Sequence, residues 1–199
     1  MIAVITGDII NSRTSQTQDW LKYLKSVLNQ YGQSPKQWEI FRGDSFQLVI
    51  KPENALFAAI HIKAAVKQTK TQDVRMAIGL GEETNTEKKI TESYGSAYIR
   101  SGECFDALKK QTLAIKSSDE QWNNLFNLLL SLALLTANTW TGIVAQVITT
   151  VLENPEKHQT EIAKLINKSQ SSISEALKRG GYEEIMKLNS YYQTQLPKL

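Results

Sequence analysis

The sequence predicts an α+β fold, and three observations carry that prediction. The chain opens on an apolar, β-branched run, MIAVITGDII, that suits a strand covered on both faces. Strand-like and helix-like periodicities then alternate as β-α-β-β-α-β and again α-β up to residue 117. From Glu120 onward strand signals disappear and only helical patterns remain. The expected architecture is an α/β domain over residues 1–118 and an all-α domain over residues 119–199.

The elements follow in order. Met1 to Ile10 shows no polar alternation before Thr6, as expected of a central strand. Asp19 to Tyr31 places Trp20, Leu21, Leu24, Val27, Leu28 and Tyr31 on one helical face, with Lys22 and Lys25 outward. Gly32 to Pro35 stops that helix. Trp38 to Ile50, WEIFRGDSFQLVI, has two aromatic and β-branched runs around an Arg-Gly-Asp-Ser corner and predicts a β-hairpin. Pro52 to Lys70 predicts a second helix, with Pro52 near its first turn, a face of Leu56, Phe57, Ile60, Ala64 and Val66, and His61 on its flank. Val74 to Gly81 predicts a strand, Glu82 to Thr91 a loop, Ala97 to Lys110 a helix and Thr112 to Ser117 a short closing strand. This order is that of a split β-α-β, ferredoxin-like arrangement with crossover helices on one face of an antiparallel sheet. It would set the first strand beside the second strand of the hairpin.

Beyond Ser118 the predicted helices are Gln121 to Ala137, apolar almost all round, and Trp140 to Leu152, with Ile143, Val144, Val147, Ile148 and Val151 inward. Burial against another domain or a second subunit would account for the first, and a homodimer through Leu125 to Leu135 is the expectation. Asn154-Pro155 ends the second. Gln159 to Arg179, QTEIAKLINKSQSSISEALKR, predicts a helix-turn-helix. Ala163 is the small residue at the crossing, Ile166-Asn167-Lys168 the turn, and Ile162, Ala163, Leu165, Ile173 and Leu177 the inner face. Ser169, Gln170, Ser171, Ser174, Lys178 and Arg179 form the outer face, short polar groups and cations of the kind that contact base edges and phosphates in DNA. A helical hairpin with a solvated polar face is the plain structural alternative. From Val151 to the end there are seven Lys and Arg against six Asp and Glu, a weak surplus for a single DNA-binding unit that a dimer would double. Tyr182 to Tyr192 predicts a further helix packing back, and His158 a surface position.

Composition narrows the class. With 199 residues, 41% hydrophobic, 22% charged and a net charge of +3, the chain is an ordinary globular sequence without a strong polyanion signature. The single cysteine, Cys104, excludes an internal disulfide framework and is expected as a small buried hydrophobe. The longest apolar run, Leu125 to Ala137, falls short of the roughly 20 residues that span a bilayer. MIAVITGDII lacks a basic n-region, so a cytoplasmic protein without a membrane partner is expected.

The chemistry candidates are two Gly-Asp steps at predicted strand ends, Gly7-Asp8 and Gly43-Asp44. Two carboxylates at neighbouring strand ends can ligate a divalent cation and leave positions for phosphates and water. Ile9, Asn11, Ser12 and Arg13 follow Asp8 and could turn amides toward a triphosphate, with Arg42 and Gly43 on the facing tip. Asp beside Gly also serves as turn punctuation, and that alternative stays open. Asp8 in ITGDII, Asp44 in RGDSF and the strand VRMAIGLGE resemble the nucleotidyl cyclase fold shared by class III adenylate cyclases and GGDEF diguanylate cyclases. The resemblance covers residues 1–116 and implies a nucleotidyl cyclase-like unit with Mg or Mn and a nucleotide at Asp8 and Asp44. The chain departs from cyclases in carrying Asn11-Ser12 where they have Phe-Thr, and in offering Arg100 without the accompanying asparagine. No catalytic residue is therefore assigned.

Over nearly the full length, MIAVITGDIINSR, RGDSFQ, VRMAIGLGE, AYIRSGECFDALKK and NTWTGIVAQVI before the helix-turn-helix resemble the SatD family of bacterial proteins. That resemblance implies the layout of the whole chain rather than a reaction. The functional expectation is a bacterial transcriptional regulator that binds DNA through the helix-turn-helix and is modulated by a nucleotide- or metal-binding N-terminal domain. A metal-dependent nucleotidyl enzyme and a non-catalytic scaffold for protein contacts are the alternatives.

Overall fold

The computed structural model describes residues 1–13, 19–85 and 87–199. Its centre is β1 (Ile2–Ile10), whose Ala3, Val4 and Ile5 have no exposed surface. Around β1 lie the hairpin β2 (Trp38–Phe41) and β3 (Ser45–Ile50), then β4 (Asp73–Gly81) and β5 (Leu113–Lys116), in the order β2-β3-β1-β4-β5. All neighbours are antiparallel except β4 and β5, which are parallel. Helix α1 (Asp19–Leu28) connects β1 to β2 across β3, and α2 (Pro52–Lys67) connects β3 to β4 across β1. Helix α3 (Ser96–Ala107) leads from β4 to β5.

Both faces of the sheet are covered. Ala3, Ile5 and Ile9 of β1 pack with Trp20, Leu24 and Leu28 of α1 and with the small and branched residues of α2. On the opposite face Thr6 hydrogen-bonds Ser101 of α3 at 3.0 Å, and Ala77, Cys104 and Ala114 form a second, smaller apolar cluster. One crossover helix thus lies on the far face, where the sequence predicts all of them on one. Gly79 allows it: a Cβ there would stand 2.2 Å from Ala97 O and 2.4 Å from Ser101 N. Only glycine lets the α3 backbone lie that close to β4.

Five further helices follow: α4 (Glu120–Ala137), α5 (Gly142–Leu152), α6 (Gln159–Leu165), α7 (Gln170–Arg179) and α8 (Tyr182–Gln195). Asp119 caps α4, Thr141 caps α5 and Ser169 caps α7, each side chain accepting a backbone N–H of the first turn. These helices share one continuous core with the sheet, since Trp122, Phe126, Leu130, Val144, Ile148, Ile173 and Tyr192 join the cluster that contains β1 and α2. Tyr192 Oη donates to Pro52 O at 2.7 Å, and Trp140 Nε1 to Gly180 O at 2.9 Å.

Being covered on both sides, α2 buries residues that a solvent-facing helix would expose. His61 is 1% and Lys63 2% exposed, where the sequence pattern sets His61 on a helix flank. The predicted loop at 82–91 ends in a 3-10 turn at Ile90–Glu92, and its residue 86 lies outside the described residues. No helix among the described residues is long and apolar enough to cross a membrane.

Candidate functional site

The two Gly-Asp steps meet at one end of the sheet. Antiparallel pairing of β1 with β3 sets Asp8 opposite Ser45, one residue from Asp44, and the Ile9 N–H donates to Asp44 O at 3.2 Å. The hairpin tip needs positive φ at two consecutive residues, Arg42 (52°) and Gly43 (92°). Glycine accepts that conformation freely, and the non-glycine Arg42 is held there by the flanking strands. On the β1 side the chain turns at Asn11 (φ 61°), whose Nδ2 donates to Thr71 O at 3.2 Å. Ser12 Oγ then donates to Asp44 Oδ2 at 2.5 Å and ties that turn to the hairpin tip.

Asp8 itself is committed to a residue that sequence reasoning missed. Across the β1–β4 register it faces Arg75. The guanidinium donates from Nε to Oδ1 at 3.0 Å and from Nη2 to Oδ2 at 2.5 Å, a bidentate ion pair of the strongest geometry for these groups. Hydrogen bonding to Asp8 is the main reason that the Arg75 pKa rises above even its usual high value. The guanidinium carbon also sits 5.3 Å from the centre of the Phe105 ring of α3. Arg75 was in view within VRMAIGLGE; only the strand register identifies it as the partner of Asp8.

A divalent cation between Asp8 and Asp44 does not fit this arrangement. Both Asp8 oxygens already receive donors from a permanent cation, and Asp44 receives the Ser12 hydroxyl. Among the described residues no group of three or more His, Cys, Asp or Glu could hold a metal ion. The Ile9 amide is consumed by Asp44, so it is not a free phosphate donor. Arg13, Arg42 and Gly43 are exposed beside the Ser12–Asp44 hydrogen bond.

The second group of predicted residues lies on α6 and α7. The chain leaves α6 through Ile166–Ser169, with Asn167 left-handed (φ 52°) and the Lys168 N–H returning to Ala163 O at 2.9 Å. Ile162 and Ala163 of α6 pack against Ile173 and Ala176 of α7 and against α5. Ser169, Gln170, Ser171, Ser174, Lys178 and Arg179 are all exposed. Two predicted inner residues differ: Leu165 is 55% exposed and Leu177 only partly buried, while Ala176 fills the crossing. A small residue is what the close approach of two helices admits. Ile143 of α5, also predicted inward, is 53% exposed.

The SatD family profile matches residues 1–194. The chain belongs to the SatD family. Among curated proteins none matches the chain. In this SatD-family chain buried polar groups that the sequence pattern did not single out tie α2 to the start of β4, to β5 and to the ends of α4 and α5. Lys63 Nζ donates to Asp73 Oδ1 at 2.8 Å and to Thr112 Oγ1 at 3.2 Å. Lys67 Nζ donates to Asp73 Oδ2 at 3.0 Å and to Asn138 O, at the end of α4, at 2.8 Å. Burial lowers the Lys63 pKa to about 8 against the pull of Asp73. Nearby, Tyr31 Oη lies 2.9 Å from His61 Nδ1, and His61 Nε2 lies 3.3 Å from Glu153 Oε1 at the end of α5. Burial holds the His61 pKa below the usual imidazole value, with Glu153 pulling the other way. Cys104 is buried, and that burial raises its thiol pKa to about 11, so it is no nucleophile near neutrality.

Proposed function

We propose that this SatD-family chain is a DNA-binding regulator that contacts DNA through α7, with the sheet unit as the part that tunes it. The observation that carries the reading is the division of α7 into two faces. Ile173 and Ala176 anchor it on α5 and α6, while Gln170, Ser171, Ser174 and Lys178 leave its other side polar, uncluttered and exposed. A short helix, a four-residue turn and a second helix that offers its first turns outward suit insertion into a major groove. Lys178 and Arg179 would supply phosphate contacts, which carry most of the affinity of such proteins.

The sheet unit is proposed to be ferredoxin-like and cyclase-like, and its strand order and two interleaved crossovers support that reading. Its ligand would be a nucleotide or another phosphate-bearing anion reaching Arg13 and Arg42, rather than a metal between Asp8 and Asp44. Helix α2 touches β1 and β4 on one side and α5 on the other, so a ligand felt by the strands would be felt by the DNA-binding helices. Transcriptional regulation in a bacterial cytoplasm is the setting that these features suit.

Selection of bound fragments from random-sequence DNA by the full chain at low salt tests the reading. A recovered consensus supports it, and recovery without enrichment contradicts it. Thermal melting against a panel of nucleotides, each with and without Mn, tests the ligand of the sheet unit, because binding to the folded state raises the melting temperature.

A further inference from the structure

We propose that α4 is the dimerisation element of this protein and pairs with α4 of a second copy. The helix has two apolar faces. Trp122, Phe126, Leu130, Leu134 and Ala137 enter the core. Leu125, Leu128, Leu132 and Leu135 point the other way and are 42%, 59%, 55% and 73% exposed. Four large apolar side chains in one line on a single helix form a patch rather than the scattered exposure that any surface shows.

Their spacing identifies the occupant. Steps of three, four and three residues are the a and d positions of a heptad, which complement another helix carrying the same repeat. In this chain α4 is itself such a helix, and pairing it with its own copy gives a closed two-fold interface. Charge points the same way. From Gln121 to Ala137 the helix carries no charged residue, so copies meet along it without repulsion. At 18 residues α4 is about 27 Å long, so the interface is small and the dimer reversible.

Sedimentation equilibrium of the full chain without DNA tests the proposal, and its outcome is independent of whether the chain binds DNA. The wild type, 22.4 kDa per chain, is expected to sediment as a dimer that dissociates on dilution. The double variant Leu128→Glu/Leu132→Glu is expected to be monomeric throughout with an unchanged melting temperature. Should the double variant not fold, Leu135→Arg, at the most exposed position of the stripe, is expected to give the same loss of dimer. A wild type that stays monomeric up to about 0.1 mM, well above a micromolar dissociation constant, would overturn the proposal. So would folded variants that remain dimeric, or a monomeric wild type that floats with neutral phosphatidylcholine vesicles.

Discussion

Asp8 on β1 and Arg75 on β4 stand opposite each other in the strand register and meet through two charge-assisted hydrogen bonds. This pair decides how the strand end is read, because it gives Asp8 a cation from within the protein. Arg75→Ala is expected to cost about 1–2 kcal/mol, the pair being partly exposed. It should also open Asp8 to a divalent cation. Melting with and without Mn checks both. If Arg75→Ala shows no Mn-dependent rise, Asp8 and Asp44 are not metal ligands even when released.

The buried Lys63–Asp73–Lys67 group predicts an asymmetry between its members. Asp73→Asn leaves two buried ammonium groups without their anion and is expected to cost about 3–5 kcal/mol. Lys63→Met should cost far less, since Lys67 still pairs with Asp73 and the neighbouring wall of Leu56, Ile60, Leu113 and Leu134 is apolar. Denaturant titrations of the two variants check the order. Equal losses would contradict it.

The same lysine makes a pH prediction. Its pKa is about 8 in the folded protein against 10.5 for the free side chain, so between those values the unfolded chain binds more protons. Stability from this group therefore rises with pH through the window and falls as pH drops toward 8. From pH 8 to about pH 9.5 this group gains on the order of 1.5 kcal/mol, of which the buried Cys104 thiol, raised from 9.0 to about 11, offsets roughly half, while buried Tyr31 and Tyr192 oppose it only at higher pH. Lys63→Met should flatten the profile. An unchanged profile in that variant would assign the rise elsewhere.

Much of this fold was legible in the residues. The apolar run at Ile2–Ile10 and the aromatic and β-branched runs around Arg42-Gly43 located the strands, because local pattern and burial agree there. The two helices α6 and α7 were legible for the same reason, down to the turn at Asn167. What failed depended on what each face meets. His61 and Lys63 are buried because α5 and α8 cover α2, which no pattern within Pro52–Lys67 records. Leu165 and Ile143 point outward despite their apolar side chains. At the strand end, Asp8 and Asp44 were visible as a pair, but Arg75 is 67 residues away and enters only through the β1–β4 register.

Tyr192 supplies a check on how the last helix is held. Its hydroxyl donates to Pro52 O across 140 residues and is buried. Tyr192→Phe removes that donor while keeping the ring against Trp122 and Phe126, and is expected to cost about 1 kcal/mol. Faster hydrogen exchange confined to α8 and the start of α2 is the accompanying sign; uniform exchange across the chain would argue against it.

The central claim is that α7 contacts DNA, and the salt dependence of binding tests it most directly. Wild type and Lys178→Ala/Arg179→Ala would be titrated by fluorescence anisotropy onto the same selected DNA duplex at several salt concentrations. The account predicts a linear fall of log K with log salt for the wild type, and a slope shallower by about 0.9 for each phosphate contact removed in the variant. Equal affinities and slopes for the two proteins, or no binding by the wild type at low salt, would contradict it.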